Sequence, residues 1–303
     1  MPGMSSGVVE QPPDVMPDPT GRRPIRLSGR TRAAVWFVMI LIGLILLWEG
    51  YKLFGKSVQG TVPLPVRPDD TSMPHIWEIV GVFFTRRTPS EPMMLEVLLR
   101  EALFTLREAL LGFVFGASFG FVLAIVFSQS KLMERGFMPF VVASQTVPMI
   151  AIAPIIVIWG ARIGWPVWMS VSIIAAYLVF FPVTINTLRG LRSPDPTAIE
   201  LMRSYGATGR ETLWKVQVPS ALPYIFTALK ISATAAVVGA LIGELPSSLN
   251  QGLGRALLSF TYTFITGPEK LYAAVLIAAL VSMLFVGVIS LVEHFVLRNR
   301  RTA

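Results

Sequence analysis

The segment DPTAIELMRSYGATGRETLWKVQVPSALP, residues 195–223, is a polar, charged island between two long apolar runs. Its grammar is helix, glycine break, second helix, then two prolines. Asp195 and Thr197 are both able to cap the first helix, Pro196 suits its first turn, and Thr197 and Glu200 stand at capping-box spacing. Ile199, Met202 and Tyr205 fall on one helical face. Gly206 reads as the left-handed residue that closes the helix. Thr208 and Glu211 repeat the capping-box spacing, Leu213, Trp214 and Val216 follow, and Pro219 and Pro223 mark the start of a new element. Ordering so long a connector is costly, and both a functional element and a solvated linker fit its composition.

The pattern resembles the EAA loop of binding-protein-dependent ABC importer permeases. That signature runs E-A-A, three residues, G-A, eight residues, then I-x-L-P. Here it stands as Glu200-Leu201-Met202, Gly206-Ala207 and Val216-Gln217-Val218-Pro219, with every gap kept. Leu201 and Met202 replace the usual alanines, and Val216 and Val218 replace Ile and Leu. The resemblance implies an all-α polytopic protein of about six transmembrane helices, with the type I (MetI-like) permease fold. It also implies that the loop is cytoplasmic and docks on a separate ATPase subunit. Glu200, Arg203, Gly206, Ala207, Arg210 and Pro219 are then the coupling residues. Glu200 equally fits a helix cap, and Arg203, Arg210, Glu211 and Lys215 equally fit a solvated face.

The rest of the chain agrees with a membrane protein. Of 303 residues, 53% are hydrophobic, and the mean hydropathy is +0.63. There is no cysteine, so a disulfide framework and thiolate metal sites are excluded. His75 and His294 lack companions at ligand spacing, so no metal is expected. A net charge of +8 raises the question of nucleic acid, but in a membrane chain it reads first as a question of sidedness, and no nucleic-acid partner is expected.

Taken in order, residues 1–32 read as a disordered, proline-containing tail that becomes basic at Arg22, Arg23, Arg26, Arg30 and Arg32. Ala33–Phe54 is a first crossing, with about twenty apolar residues being the length needed. Residues 33–92 together form that helix and an outer loop, in which His75–Phe84 suits a short helix lying on the membrane, with Ile76, Ile79, Val80 and Phe83 on one face. Residues 93–297 form the permease core. In Met93–Phe127, Glu96 and Arg100 are spaced for local pairing, and Gly112, Gly116 and Gly120 form a small-residue ridge for close helix packing. The segment TLREALLGFVFG resembles the second helix of the nitrate/sulfonate/taurine branch of the family. Ser128–Arg135 reads as a polar turn, and Gly136–Gly160 as one uncharged crossing with Gln145, Pro148 and Pro154. Within it, SQTVPMIAIAPIIVIWG is similar to that branch's third helix. Trp159, Trp165 and Trp168 read as an outer aromatic belt around Arg162.

Ile163–Leu188, Ser220–Gly243 and Leu271–Val292 are the remaining crossings, and 298–303 is a C-terminal tail. Lys230, inside the fifth crossing, reads as a snorkelling lysine. Gly252-Leu253-Gly254 resembles the G-L-G that precedes the family's last helix. Fifteen Lys and Arg fall on the termini, the 128–135 turn and the 189–215 loop, against eight on the other side. That bias puts both termini and the loop over 195–219 in the cytoplasm.

No Walker loop and no Ser/His/Asp set is found, so the chain reads as a transport subunit rather than an enzyme. By the resemblance it binds no cofactor itself, and ATP and magnesium belong to the partner ATPase. The partners implied are a second permease chain in a homodimer, two ATPase subunits, an external substrate-binding protein and the bilayer. Gln145, Asn186 and Glu244 are the polar groups that suit a substrate pathway, with helix–helix hydrogen bonds, and for Glu244 an interfacial position, as the other readings. The branch carries nitrate, sulfonates, taurine, bicarbonate or vitamin precursors. A channel or secondary transporter that needs no ATPase is the alternative class.

Overall fold

The computed structural model describes residues 29–58, 65, 67–86, 91–247 and 250–298. Most of the expected N-terminal tail, parts of the first outer loop and the end of the chain after Arg298 lie outside them. The chain divides into two units, one ending at Tyr51 and one running from Lys52 onward. The first contributes most of helix α1 (Gly29–Val58), which is apolar and long enough to cross a membrane. It begins before the expected Ala33, because Arg30, Thr31 and Arg32 continue the helix.

The second unit is an all-helical bundle. Its centre is three long helices, α3 (Met94–Gln129), α6 (Val167–Leu191) and α9 (Val218–Glu244), with α11 (Pro268–Arg298) against α9. Small residues let them approach. A methyl placed on Gly120 of α3 would lie 3.1 Å from Thr184 Oγ1 and Val183 Cβ of α6. Fully enclosed Ala175, Val179, Ala233, Ala236, Val237 and Ala240 fill the seams. In lipid such packing has no hydrophobic drive between helices and depends on close contact and shape.

Two short helices decorate one end of the bundle. Helix α2 (Ile76–Val82) docks on α11. It buries Ile79 and Val82, while Val80 is exposed, so its packed face is rotated from the expected one and meets protein. Helix α10 (Leu253–Tyr262) packs on α3, α9 and α11.

The expected single crossing over Gly136–Gly160 is two helices, α4 (Lys131–Ser144) and α5 (Met149–Arg162), bent by 98° at a break. Pro148 is the N-cap of α5 in extended geometry, and a residue ahead of proline is disfavoured in the α region. The expected polar turn over 128–135 shrinks to Ser130, which caps α4 through Met133 N–H at 3.3 Å. Among the described residues, five helices are thus long and apolar enough to cross a membrane, or six if the bent pair counts as one crossing.

Next to α2, Asp70 accepts ion pairs from Lys52 at 2.8 Å and Lys56 at 3.0 Å, and His75 lies 3.7 Å away. These lysines hold the Asp70 carboxyl down at about 2, from 3.8. A depressed carboxylate stabilises the fold above its unfolded pKa, and that contribution disappears as pH falls through the folded one. Wild type should therefore lose more thermal stability than Asp70→Asn between about pH 3.8 and about pH 2. Equal losses in a melting series would show that the pairs contribute nothing. The effect should be small, since Asp70 is exposed to solvent.

Candidate functional site

The segment between α6 and α9 forms a hook. Asp195 is the N-cap of α7 (Pro196–Ser204), accepting from Thr197 N–H at 2.8 Å, and this interaction holds its carboxyl below the usual range. The expected Thr197–Glu200 capping box is therefore not used: Asp195 caps two residues earlier. At the other end Gly206 N–H donates to Arg203 C=O at 2.9 Å and Ala207 N–H to Met202 C=O at 3.0 Å. With φ +69° at Gly206, this is a Schellman closure. Thr208 then caps α8 (Gly209–Thr212) by a capping box with Glu211, whose carboxylate accepts Thr208 N–H at 2.9 Å.

The prolines do not begin a separate element. Leu213–Gln217 forms a π turn that runs straight into α9, with Pro219 in the first turn of α9. The wider turn carries the chain on without a break, with Val218 N–H donating to Leu213 C=O immediately before Pro219. The hook is thus locally capped at each bend and continuous with a bundle helix.

None of the α7 residues is buried. Glu200, Arg203, Gly206 and Arg210 are exposed, and Ala207 and Pro219 are half-buried. Three large apolar side chains also face outward: Leu201 at 54%, Tyr205 at 78% and Trp214 at 52% exposure. Between the hook and the bundle is a cavity of about 360 Å³ lined by Arg192, Pro196, Ile199, Glu200, Arg203 and Gln217, among others. Arg192, at the exit of α6, grips Glu134 of α4 with both nitrogens, one at 2.7 Å. Lys215 pairs with Glu211 at 3.0 Å.

The three polar residues expected along a pathway are scattered. Gln145 is exposed at the end of α4, where the bent pair breaks. Asn186 is half-buried, and its side-chain amide donates back to Pro182 C=O one turn earlier on the same helix at 2.8 Å. Glu244 is fully enclosed by protein, and its carboxylate accepts Gly254 N–H at 2.5 Å. Beside it is a cavity of about 530 Å³ lined by residues that include Glu91, Glu101, Asn250, Arg255 and Tyr262.

Sequence reasoning missed several partnerships. Lys230, expected only to snorkel, pairs with Glu293 of α11 at 2.8 Å, both partly buried. Glu108 is 1% exposed and lies against Glu244. The available signal was a charge inside an apolar helical run, but its partner comes from a helix more than a hundred residues away. Glu96–Arg100, legible from spacing, is present at 3.5 Å.

Among the described residues, five helices long and apolar enough to cross a membrane, or six with the bent pair, together with an exposed, capped hook, are the build of a polytopic membrane protein. The chain belongs to the family of binding-protein-dependent transport system inner membrane components, whose model matches residues 116–301. It is similar to the formylaminopyrimidine transport permease protein ThiX of Halalkalibacterium halodurans, with 34% identity over 236 residues, covering 75% of this chain and 92% of the relative. It is also similar to the putative aliphatic sulfonates transport permease protein SsuC of Bacillus subtilis, at 30% over 195 residues, 64% of this chain and 68% of that one. Its fold is that of a chain in an inward-facing MetNI methionine ABC transporter, with a TM-score of 0.57 at 18% identity, covering 68% of this chain and 97% of the other. The protein is a multi-pass permease of the ABC importer class.

Proposed function

We propose that this chain is the membrane half of an ATP-driven importer that works as a homodimer with two ATPase subunits and an external binding protein. The observation that carries the reading is the hook: a polar, doubly capped element that leaves Leu201, Tyr205 and Trp214 in the open. Exposed apolar groups on a charged rim suit a protein partner. The hook docks on the ATPase through Glu200, Arg203, Gly206, Ala207 and Arg210, and Pro219 leads its motion into α9. ATP and magnesium stay in the partner, and this chain binds no cofactor. Both termini and the hook are cytoplasmic, as the Lys and Arg distribution supports.

Docking contacts that differ between two states of the bundle drive alternating access. Gln145 at the α4–α5 break and Asn186 on α6 are the polar groups for the pathway. The solute is small and is delivered by the binding protein. Similarity to ThiX and SsuC supports a pyrimidine-type vitamin precursor or an organic sulfonate.

The test is a pull-down from mild detergent with the cognate ATPase co-expressed, comparing wild type, Gly206→Asn and Gly206→Pro. Proline cannot adopt φ +69° and removes the N–H that closes α7, whereas asparagine tolerates that region. Wild type and Gly206→Asn should retain the ATPase, and a folded Gly206→Pro should retain less than about a tenth as much, a loss of about 1.4 kcal/mol or more. A wild-type chain that brings down no ATPase would sink the importer reading and favour a channel or secondary transporter.

A further inference from the structure

At the end of the bundle away from the hook, the turn Gly252-Leu253-Gly254 starts α10 and is gripped by side chains. Gly252 N–H donates to Glu101 of α3. Leu253 N–H donates to Thr105 Oγ1 at 2.8 Å, and Gly254 N–H donates to Glu244 Oε2 at 2.5 Å. Three donors that a helix start leaves unsatisfied are thus taken by two other helices. The glycines are required by the closeness of this grip. Gly252 has φ +106°, and a methyl there would lie 2.6 Å from both Glu244 oxygens. On Gly254 a methyl would lie 2.9 Å from Glu244 Cβ and Oε2.

Behind Glu244 is Glu108, 1% exposed, with both carboxylate oxygens lacking any N–H or O–H donor among the described residues. Glu244 Oε1 lacks one as well. The two carboxyl groups touch each other. Of the neighbouring charges, Glu101 accepts from Gly252, Arg107 beside Glu108 in the chain reaches over the Trp168 ring at 6.0 Å, and Arg255 lines the adjacent cavity; none of them donates to a Glu108 carboxyl oxygen. Nor do the described residues gather a set of three side chains able to hold a metal ion. Two bare carboxylates enclosed together without a cation would cost far more than the fold can offset. One shared proton removes the conflict and pairs the orphaned oxygens. The asymmetry says which group carries it. Glu244 already accepts an N–H, as an anion does, and Glu108 accepts nothing.

We propose that Glu108 is a neutral acid that donates its proton to the Glu244 carboxylate, and that this pair is a latch positioning the Gly252-Leu253-Gly254 turn and α10 against α3 and α9. Glu108 acts through Glu244 and is a positioning residue, independent of which solute is carried.

Two measurements on the purified full chain test this. Exposed and ion-paired carboxyls are ionised at neutral pH, so an infrared carboxylic-acid C=O band there reports a protonated buried acid. Wild type should show that band and Glu108→Gln should lack it. Absence of a band that Glu108→Gln removes would overturn the proposal, and a sodium-dependent loss of the band would place a cation there instead. The chain has no natural cysteine, so Leu253→Cys, at a fully buried site, serves as a maleimide reporter. Added to it, Glu108→Gln should leave labelling as slow as the reporter alone, because the amide still donates to Glu244. Glu108→Ala should speed labelling about tenfold or more by leaving Glu244 unpaired. Equal labelling in the Gln and Ala backgrounds would show that the donated hydrogen bond does not hold the turn. The infrared comparison stands even if the alanine variant fails to fold.

Discussion

Replacing Gly116 with leucine should leave little folded, monodisperse protein after detergent extraction, whereas leucine at Gly287 should be tolerated. A side chain beginning at Gly116 would place its Cβ 2.5 Å from Ala176 O, 2.8 Å from Val179 Cβ and 2.9 Å from Ala176 Cα. Two of these are backbone atoms of α6, so no rotamer change relieves them. The helices would have to separate along their whole contact, and the same α6 stretch is pressed from the other side by α9. There a methyl on Gly239 would sit 2.6 Å from Ala175 Cα. Overpacking a close-packed core costs about 1–3 kcal/mol and occasionally more. The expectation here is the upper end, since Gly112 and Gly120 extend the same seam. Gly287 has nothing within 4 Å of such a position and is the internal control. Size-exclusion recovery and the midpoint of thermal aggregation would read the difference. Equal recovery of the two variants would show that α3 and α6 are not held at this distance.

Lys230→Met should be the second severe change, and exchanging the charges with Lys230→Glu and Glu293→Lys together should recover much of the loss. The lysine Nζ lies 2.8 Å from Glu293, with side-chain exposures of 31% and 22%. Both residues belong to helices of membrane-crossing length, and neighbouring protein covers most of each side chain. Methionine conserves the stem but strands Glu293. Breaking a buried pair from one side costs about 3–5 kcal/mol, more than the intact pair contributes. Partial exposure puts the expectation near the lower figure. A double-mutant cycle on thermal stability isolates the coupling. If Lys230→Met and Glu293→Gln prove mild and additive, the pair is only a surface contact.

Both effects bear on what could be read without coordinates. The glycine ridge of α3 was legible, because a four-residue spacing of small residues has one mechanical meaning on a helix. Its partner was not: nothing in Gly112, Gly116 or Gly120 names Ala175, Ala176 or Val179. Lys230 shows the converse. As a lone charge in an apolar run it suggests snorkelling, and only the arrival of α11 supplies Glu293. Glu108 and Glu244 are separated by most of the bundle in sequence, and their contact was invisible for the same reason.

Short-range chemistry was readable almost residue by residue. The left-handed glycine at 206 and the box formed by Thr208 and Glu211 depend only on neighbours within about one helical turn, so spacing suffices. So does membrane-crossing length, which follows from uncharged runs. The π turn before Pro219 has no signature in the sequence, and where two local options competed, as between Asp195 and Thr197 for the cap, the choice stayed open. Packing made it, because the ends of α6 and α9 set the path the hook must follow. The right-angled break between α4 and α5 belongs to the same class. Pro148 allows a bend, but the contacts of α5 with α6 and α9 determine that the chain takes it. Local backbone preferences amount to tenths of a kcal/mol to about 1 kcal/mol per residue, and long-range packing overrides them wherever the two disagree.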